Sequence, residues 1–216
     1  MNKLDVDAVF CISLKERGDR RKAVLEEAKK LNLNIEFVLV EKDNKDPQRG
    51  CFNSHKLCSQ MALDRGLSRI LVLEDDVVFE SVSVNKIVRI NKYLNTRNPE
   101  LFYLGAILGK IWLTKNLGIA RVRGQGTHAA ILSESACKKI SELNYDGRGI
   151  DSVLTKLFKI YTCFPMLAYQ QPVELFPSDL DSFRKHQGKD AKYWSKIKRK
   201  QYFSVLRHLH KTLIES

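Results

Sequence analysis

Arg69-Ile70-Leu71-Val72-Leu73-Glu74-Asp75-Asp76 is the stretch from which both fold and site can be read. Ile70 to Leu73 form a short, unbroken apolar run, which is the pattern of a strand buried on both faces. Three acids follow immediately. In open α/β sheets, ligands bind beyond the carboxyl ends of the strands. The triplet sits at such an end, and that placement carries more weight than the acids themselves, which are also common on solvated strand ends.

Working upstream, Ile35 to Val40 and Val6 to Leu14 are further apolar, β-branched runs and read as strands. Asp19 to Leu31 is a helix with Ala23, Val24, Ala28 and Leu31 on one side. Asp43 to Gly50 reads as a loop, and Cys51 to Leu63 as a helix that ends near Gly66. The order strand, helix, strand, helix, strand predicts a mostly parallel central sheet flanked by helices. Downstream, Val84 to Leu94 reads as a helix and Leu101 to Leu104 as a strand. Gly105 to Gly126 is a glycine-punctuated loop with short strands, and Thr127 to Leu132 is a strand. Ser133 is placed to N-cap a helix through Leu143, and Asp151 one that runs to about Lys159.

The chain has 216 residues, 44% of them hydrophobic and 29% charged, as in a soluble globular domain. We expect one α/β domain over residues 1–183 and a basic helical segment over 184–216. No apolar run approaches the length of a membrane span, and Asp5 and Asp7 stand where a signal peptide would carry cations. Five scattered cysteines suggest reduced thiols rather than a disulfide framework. A cytoplasmic location is the expectation. The net charge of +12 asks for an anionic partner: a phosphorylated substrate, an acidic membrane surface or a nucleic acid. The basic residues do not follow a known nucleic-acid-reading pattern, so nucleic acid ranks last.

Adjacent carboxylates at a strand end can be a solvated terminus or can hold a divalent cation, and one use of such a cation is sugar transfer. Breaking a sugar–diphosphate bond requires the departing diphosphate to be neutralised, and a divalent cation held by carboxylates does this. Gathering like charges is unfavourable until a cation arrives.

Several segments together resemble glycosyltransferase family 25. They are Val9 to Leu14 followed by Arg17, Asp19, Arg20 and Arg21; Gly50-Cys51-Phe52-Asn53-Ser54-His55; Leu71 to Asp76; Gly126-Thr127-His128-Ala129-Ala130; Ile150-Asp151; and Pro165 to Gln170. The resemblance covers about residues 8 to 180, with Ala130 where tyrosine and Gly149 where proline would be expected. It implies a GT-A-like fold and a UDP-sugar donor, with galactose favoured. It also implies a Mn2+ (or Mg2+) cofactor, inversion at the anomeric carbon, and a lipooligosaccharide or other glycan acceptor.

On that basis Asp76 is the expected metal ligand, with Glu74 and Asp75 facing the nucleotide or metal-bound water. Asp151 is the expected general base, or else only a helix cap. Arg17 and Arg20 are candidates for the diphosphate, or else solvated residues of a first helical turn. Ser54 and His55 stand near a helix start that could face the donor, though His55 is as readily a buried structural residue. His128 is a further donor or metal candidate, with a structural role the commoner one. Cys51, His55 and Cys58 hint at zinc, but the two cysteines would stand roughly 10 Å apart along a helix.

The last stretch has a separate character. Between Lys192 and Lys211 there are seven Lys or Arg residues and no acid, interleaved with Trp194, Ile197, Tyr202, Phe203, Val205, Leu206 and Leu209. This suits a basic amphipathic helix on an anionic membrane at the inner leaflet, or a helix packing its apolar side on the domain. A scaffold without catalysis, or a nucleic-acid binder using the basic surface, is the alternative function.

Overall fold

Ala8–Leu14 (β1), Ile35–Val40 (β2) and Arg69–Glu74 (β3) form one parallel block with β1 in the middle. The computed structural model describes residues 3–107, 109–171 and 191–214. Side chains of β1 and β3 alternate between two cores, as the twofold period of a strand requires. Phe10, Ile70 and Val72 enter one core; Val9, Cys11, Leu71 and Leu73 enter the other. The strand that reads as buried on both faces is buried on both faces.

Gly18–Lys29 (α1) follows β1, and Pro47–Asp64 (α2) follows β2. Helix α2 begins four residues before the sequence suggests. Asp46 accepts hydrogen bonds from the Gln48 and Arg49 amides, and Pro47 occupies the first turn, where its missing N–H costs nothing. The Asp-Pro pair that reads as loop punctuation is a helix start. Gly66, at φ 63°, turns the chain out of the helix into β3.

Val77–Phe79 (β4), Val84–Arg97 (α3), Leu101–Tyr103 (β5), Gly109–Leu113 (β6) and Ile119–Gly124 (β7) follow in order. Ala129–Ser133 (β8) leads into Glu134–Ser141 (α4), capped by the Ser133 hydroxyl as expected. Then come Ile150–Leu157 (α5), Ile160–Cys163 (β9) and Ala168–Gln170 (β10). Ala191–Arg207 (α6) and Leu209–Ile214 (α7) lie beyond.

The main sheet runs β2-β1-β3-β8-β5-β9-β7-β6. Only β8 and β7 oppose the direction of the other six strands, so the sheet is mostly parallel in sense. Helices cover both faces, α1 and α3 on one and α2, α4 and α5 on the other. This is a GT-A-like α/β arrangement. Strands β4 and β10 form a separate antiparallel pair beside the end of β3.

Helix α6 packs against β6 through Trp194, Ile197 and Val205. Gln201 donates to the Ala106 carbonyl, and the Ile111 amide donates to Ser204 Oγ. One apolar face of the basic segment is therefore spent on the domain, while Phe203 and Leu206 remain exposed. No helix among the described residues is long and apolar enough to cross a membrane. The start of that segment, residues 184–190, lies outside the described residues.

Candidate active site

Glu74 is the last residue of β3, and its backbone N–H donates to the carbonyl of His128, the residue that precedes β8. Its side chain is fixed from two further sides. Thr127 Oγ1 donates to Glu74 Oε1 at 3.0 Å, and His55 Nε2 lies 3.3 Å from the same oxygen. Burial pushes this carboxyl up, but the hydrogen bond and charge of His55, the charge of His128 and the Thr127 hydroxyl outweigh it. The result is a group held down at about 2. Glu74 is thus kept ionised at the edge of the sheet.

Thr127 is also the hinge to Asp151. The backbone N–H groups of Gly126 and Thr127 both donate to Asp151 Oδ1, at 2.8 and 3.2 Å. One short segment between β7 and β8 therefore holds two carboxylates, Asp151 by its amides and Glu74 by its hydroxyl. Only glycine fits at 126. A Cβ there would stand 2.4 Å from the Gly105 oxygen and 2.5 Å from the Tyr103 ring. The Tyr103 hydroxyl is buried close by, and its phenol is pushed up by burial and by the charges of Asp151 and Glu74.

Asp151 does not cap its helix. Gly149 is the N-cap of α5, and Asp151 stands within the first turn with its carboxylate reaching the 126–127 amides. Helix α5 is itself positioned by the start of α2, where Tyr145 donates to the Asp46 carboxylate and Gln48 to the Gly147 carbonyl.

The other two acids of the triplet diverge. Asp75 is buried and makes a 2.9 Å ion pair with Arg20 of α1, also buried. The expectation that Asp75 faces the nucleotide and Arg20 the diphosphate meets a simpler geometry, since each uses its charge on the other. Asp76 is partly buried, and Gln170 of β10 donates its amide to both carboxylate oxygens at 3.1 and 3.3 Å. The backbone of Asp76 is tied to the same strand end, accepting from the Gln171 amide. An amide is neutral, so this contact aims the carboxylate while leaving its charge in place.

Several expected donor residues are occupied with local tasks. Arg17 pairs with Asp19, whose carboxyl it lowers to about 2. Ser54 donates back to the Gly50 carbonyl within α2. His128 is buried, with Nε2 at 3.4 Å from the Ala168 oxygen, so it braces β10 against β8. The roles of Thr127 and Gln170 do not show in the sequence pattern. Both lie in segments that carry the family resemblance, and that was the signal available.

The donor chemistry fits a divalent cation. Glu74 and Asp76 supply hard carboxylate oxygens, the ligand type that Mg2+ or Mn2+ prefers. Cys51, His55 and Glu74 also bring their ligand atoms within 4.8 Å of one another, a softer set on the same edge. Cys58 is not among them; it is buried in the core, where burial pushes its thiol up to about 12. A polar groove lined by Ser68, Arg69, Asn95, Asn98 and Glu134 lies at the opposite end of β3 and shares no residue with this cluster.

Residues 40–150, just over half the chain, match the model for glycosyltransferase family 25 (LPS biosynthesis protein). Procollagen galactosyltransferase 2 of Homo sapiens is 30% identical over 133 residues, covering 48% of this chain and 21% of that protein. Inactive glycosyltransferase 25 family member 3 of Homo sapiens is 29% identical over 133 residues, covering 48% of this chain and 22% of that protein. The chain therefore spans about a fifth of the length of the curated relatives it matches. In fold it is similar to the crystal structure of A197 from STIV. The TM-score is 0.51 with 14% identity, over 79% of this chain and 86% of that one.

Proposed function

Because the chain belongs to glycosyltransferase family 25, we propose that it transfers a hexose from a UDP-sugar to a lipooligosaccharide or other glycan acceptor, with inversion. Galactose is the favoured sugar, in keeping with the name of the human galactosyltransferase relative. One observation carries the reading. The Gly126-Thr127 segment holds Asp151 and Glu74 together, with Asp76 two residues beyond Glu74. One relative is named inactive, so family membership alone does not decide turnover. Glu74 and Asp151 tied to one segment, with Asp76 two residues from Glu74, support an enzyme over a scaffold.

In this proposal Asp76, aided by Glu74, holds a divalent cation of the Mn2+ or Mg2+ type. That ion's chemistry is to neutralise the diphosphate as it departs. Asp151 removes the proton from the acceptor hydroxyl as its oxygen attacks the anomeric carbon on the face opposite the leaving UDP. The two amides on Asp151 Oδ1 fix the carboxylate so that Oδ2 takes the proton. Gln170 orients Asp76, and His55 with Thr127 keeps Glu74 ionised. Arg20 holds the turn after β3 by neutralising Asp75.

Thermal stabilisation by UDP with and without Mn2+, followed by a screen of UDP-sugars for metal-dependent hydrolysis, tests the proposal. Stabilisation that needs both, and hydrolysis of one sugar nucleotide above the others, is the expected result. Indifference to UDP and metal across the screen would defeat it.

A further inference from the structure

Helix α6 carries two apolar strips, and the domain uses only one. At 3.6 residues per turn, Trp194, Ile197, Gln201 and Val205 share one face, and all four are buried. Phe203 and Leu206 stand on the opposite side, 62% and 61% exposed, and Leu209 at the start of α7 is 49% exposed. Large side chains of this kind are seldom left in water without a reason when they cluster.

Their surroundings are basic. Lys196, Arg199, Lys200 and Arg207 are exposed and fall on the same arc of the helix as Phe203. Residues 191–214 contain no Asp or Glu at all. Lys198, by contrast, leans to the domain side, where it pairs with Glu80 and lies over the Tyr169 ring. The cations that are not engaged in this way ring the exposed apolar pair.

We propose that this outer face of α6 is a docking surface for an anionic lipid bilayer. Phe203 and Leu206 enter the headgroup boundary while the surrounding lysines and arginines meet lipid phosphates. Charge complementarity selects this occupant. A second copy of the chain would bring the same cations against each other, and a nucleic-acid duplex would meet the cations but leave Phe203 and Leu206 in water. The surface would hold the protein on the inner face of a membrane, on the cytoplasmic side. This inference does not depend on the catalytic reading, because the face shares no residue with the Glu74 cluster.

The test uses the full chain and vesicles of phosphatidylcholine, with or without a quarter of phosphatidylglycerol, in the absence of donor and acceptor. Sedimentation with the anionic vesicles is expected, weakening as salt rises, and absent with pure phosphatidylcholine. A Phe203→Ser, Leu206→Ser double variant should bind roughly tenfold more weakly or worse, since two large apolar side chains no longer enter the lipid. Both positions are exposed, so the fold should be unaffected. In a Phe203→Trp variant the new indole should shift to the blue on adding anionic vesicles only. The proposal is overturned by equal binding of the double variant, by equal binding to neutral vesicles, or by an indole that does not shift. It is also overturned if an RNA fragment is bound as tightly as the anionic vesicles and the double variant binds it unchanged.

Discussion

Arg20 Nη1 lies 2.9 Å from Asp75 Oδ1, and both side chains are about 8% exposed. This buried pair connects the first turn of α1 to the turn that follows β3. Removing one partner of such a pair strands the other charge out of water, which typically costs about 3–5 kcal/mol. Arg20→Ala should therefore lower the urea midpoint strongly, whereas Arg20→Ala combined with Asp75→Asn should recover part of the loss. If Arg20 instead served only a bound diphosphate, the single variant would keep its midpoint and lose UDP binding alone.

Gln170 supplies a second, softer test. Its amide aims Asp76 without neutralising it, and residues that orient a metal-binding carboxylate usually contribute about 10–100-fold to metal affinity. Gln170→Ala should raise the Mn2+ concentration needed for UDP-dependent stabilisation by about that factor. Asp76→Ala should abolish the metal dependence while changing the melting temperature of the unliganded protein little, because Asp76 is only partly buried and its side-chain partner Gln170 is a neutral amide. Thermal melts in a Mn2+ titration report both.

Glu74 predicts a pH effect whose sign is fixed. Its folded pKa of about 2 lies below the ordinary value of 4.5. The stability it contributes is therefore complete above about 4.5 and is lost as pH falls through that window towards 2. Urea midpoints should drop more steeply between pH 5 and 2 in the natural protein than in Glu74→Gln, which has no charge to lose. His55→Ala removes a partner that holds the carboxyl down, so it should move the Glu74 transition upward in pH. Parallel slopes in all three proteins would contradict the assignment.

What the sequence disclosed, and what it hid, follows one physical line. Local patterns show plainly in β1, β2 and β3, because alternation and apolar runs are written in adjacent residues. The Ser133 cap was equally visible. The start of α2 was hidden because Asp46 and Pro47 signal both a turn and a helix beginning, and only the Asp46 hydrogen bonds to Gln48 and Arg49 distinguish them. Strands β4, β9 and β10 are three or four residues long, too short for periodicity to show. The placement of Glu74 and Asp76 at a strand end was legible. The partners were not, since Arg20 reaches Asp75 across 55 residues and Gln170 reaches Asp76 across 94. Contacts of that range depend on topology, which spacing along the chain does not carry.

Asp151 and the segment that holds it can be attacked from both sides, and the two outcomes separate charge from position. Asp151→Asn keeps an oxygen for the Gly126 and Thr127 amides but removes the charge that would accept a proton. Transfer should fall by about 10²–10⁴-fold, with the fold intact and UDP binding preserved. Gly126→Ala leaves Asp151 untouched but forces a methyl group to within 2.5 Å of the buried Tyr103 ring and 2.4 Å of the Gly105 oxygen. Neither neighbour can withdraw, so the 126–127 backbone must shift. Overpacking of this kind costs about 1–3 kcal/mol, and the shift would also loosen the Thr127 bond to Glu74. Gly126→Ala should therefore lower the urea midpoint and weaken metal-dependent UDP binding and transfer together, while Asp151→Asn lowers transfer alone. If Asp151→Asn lowered the midpoint as much and spared transfer, its carboxylate would be a structural tie for the 126–127 segment and not the base.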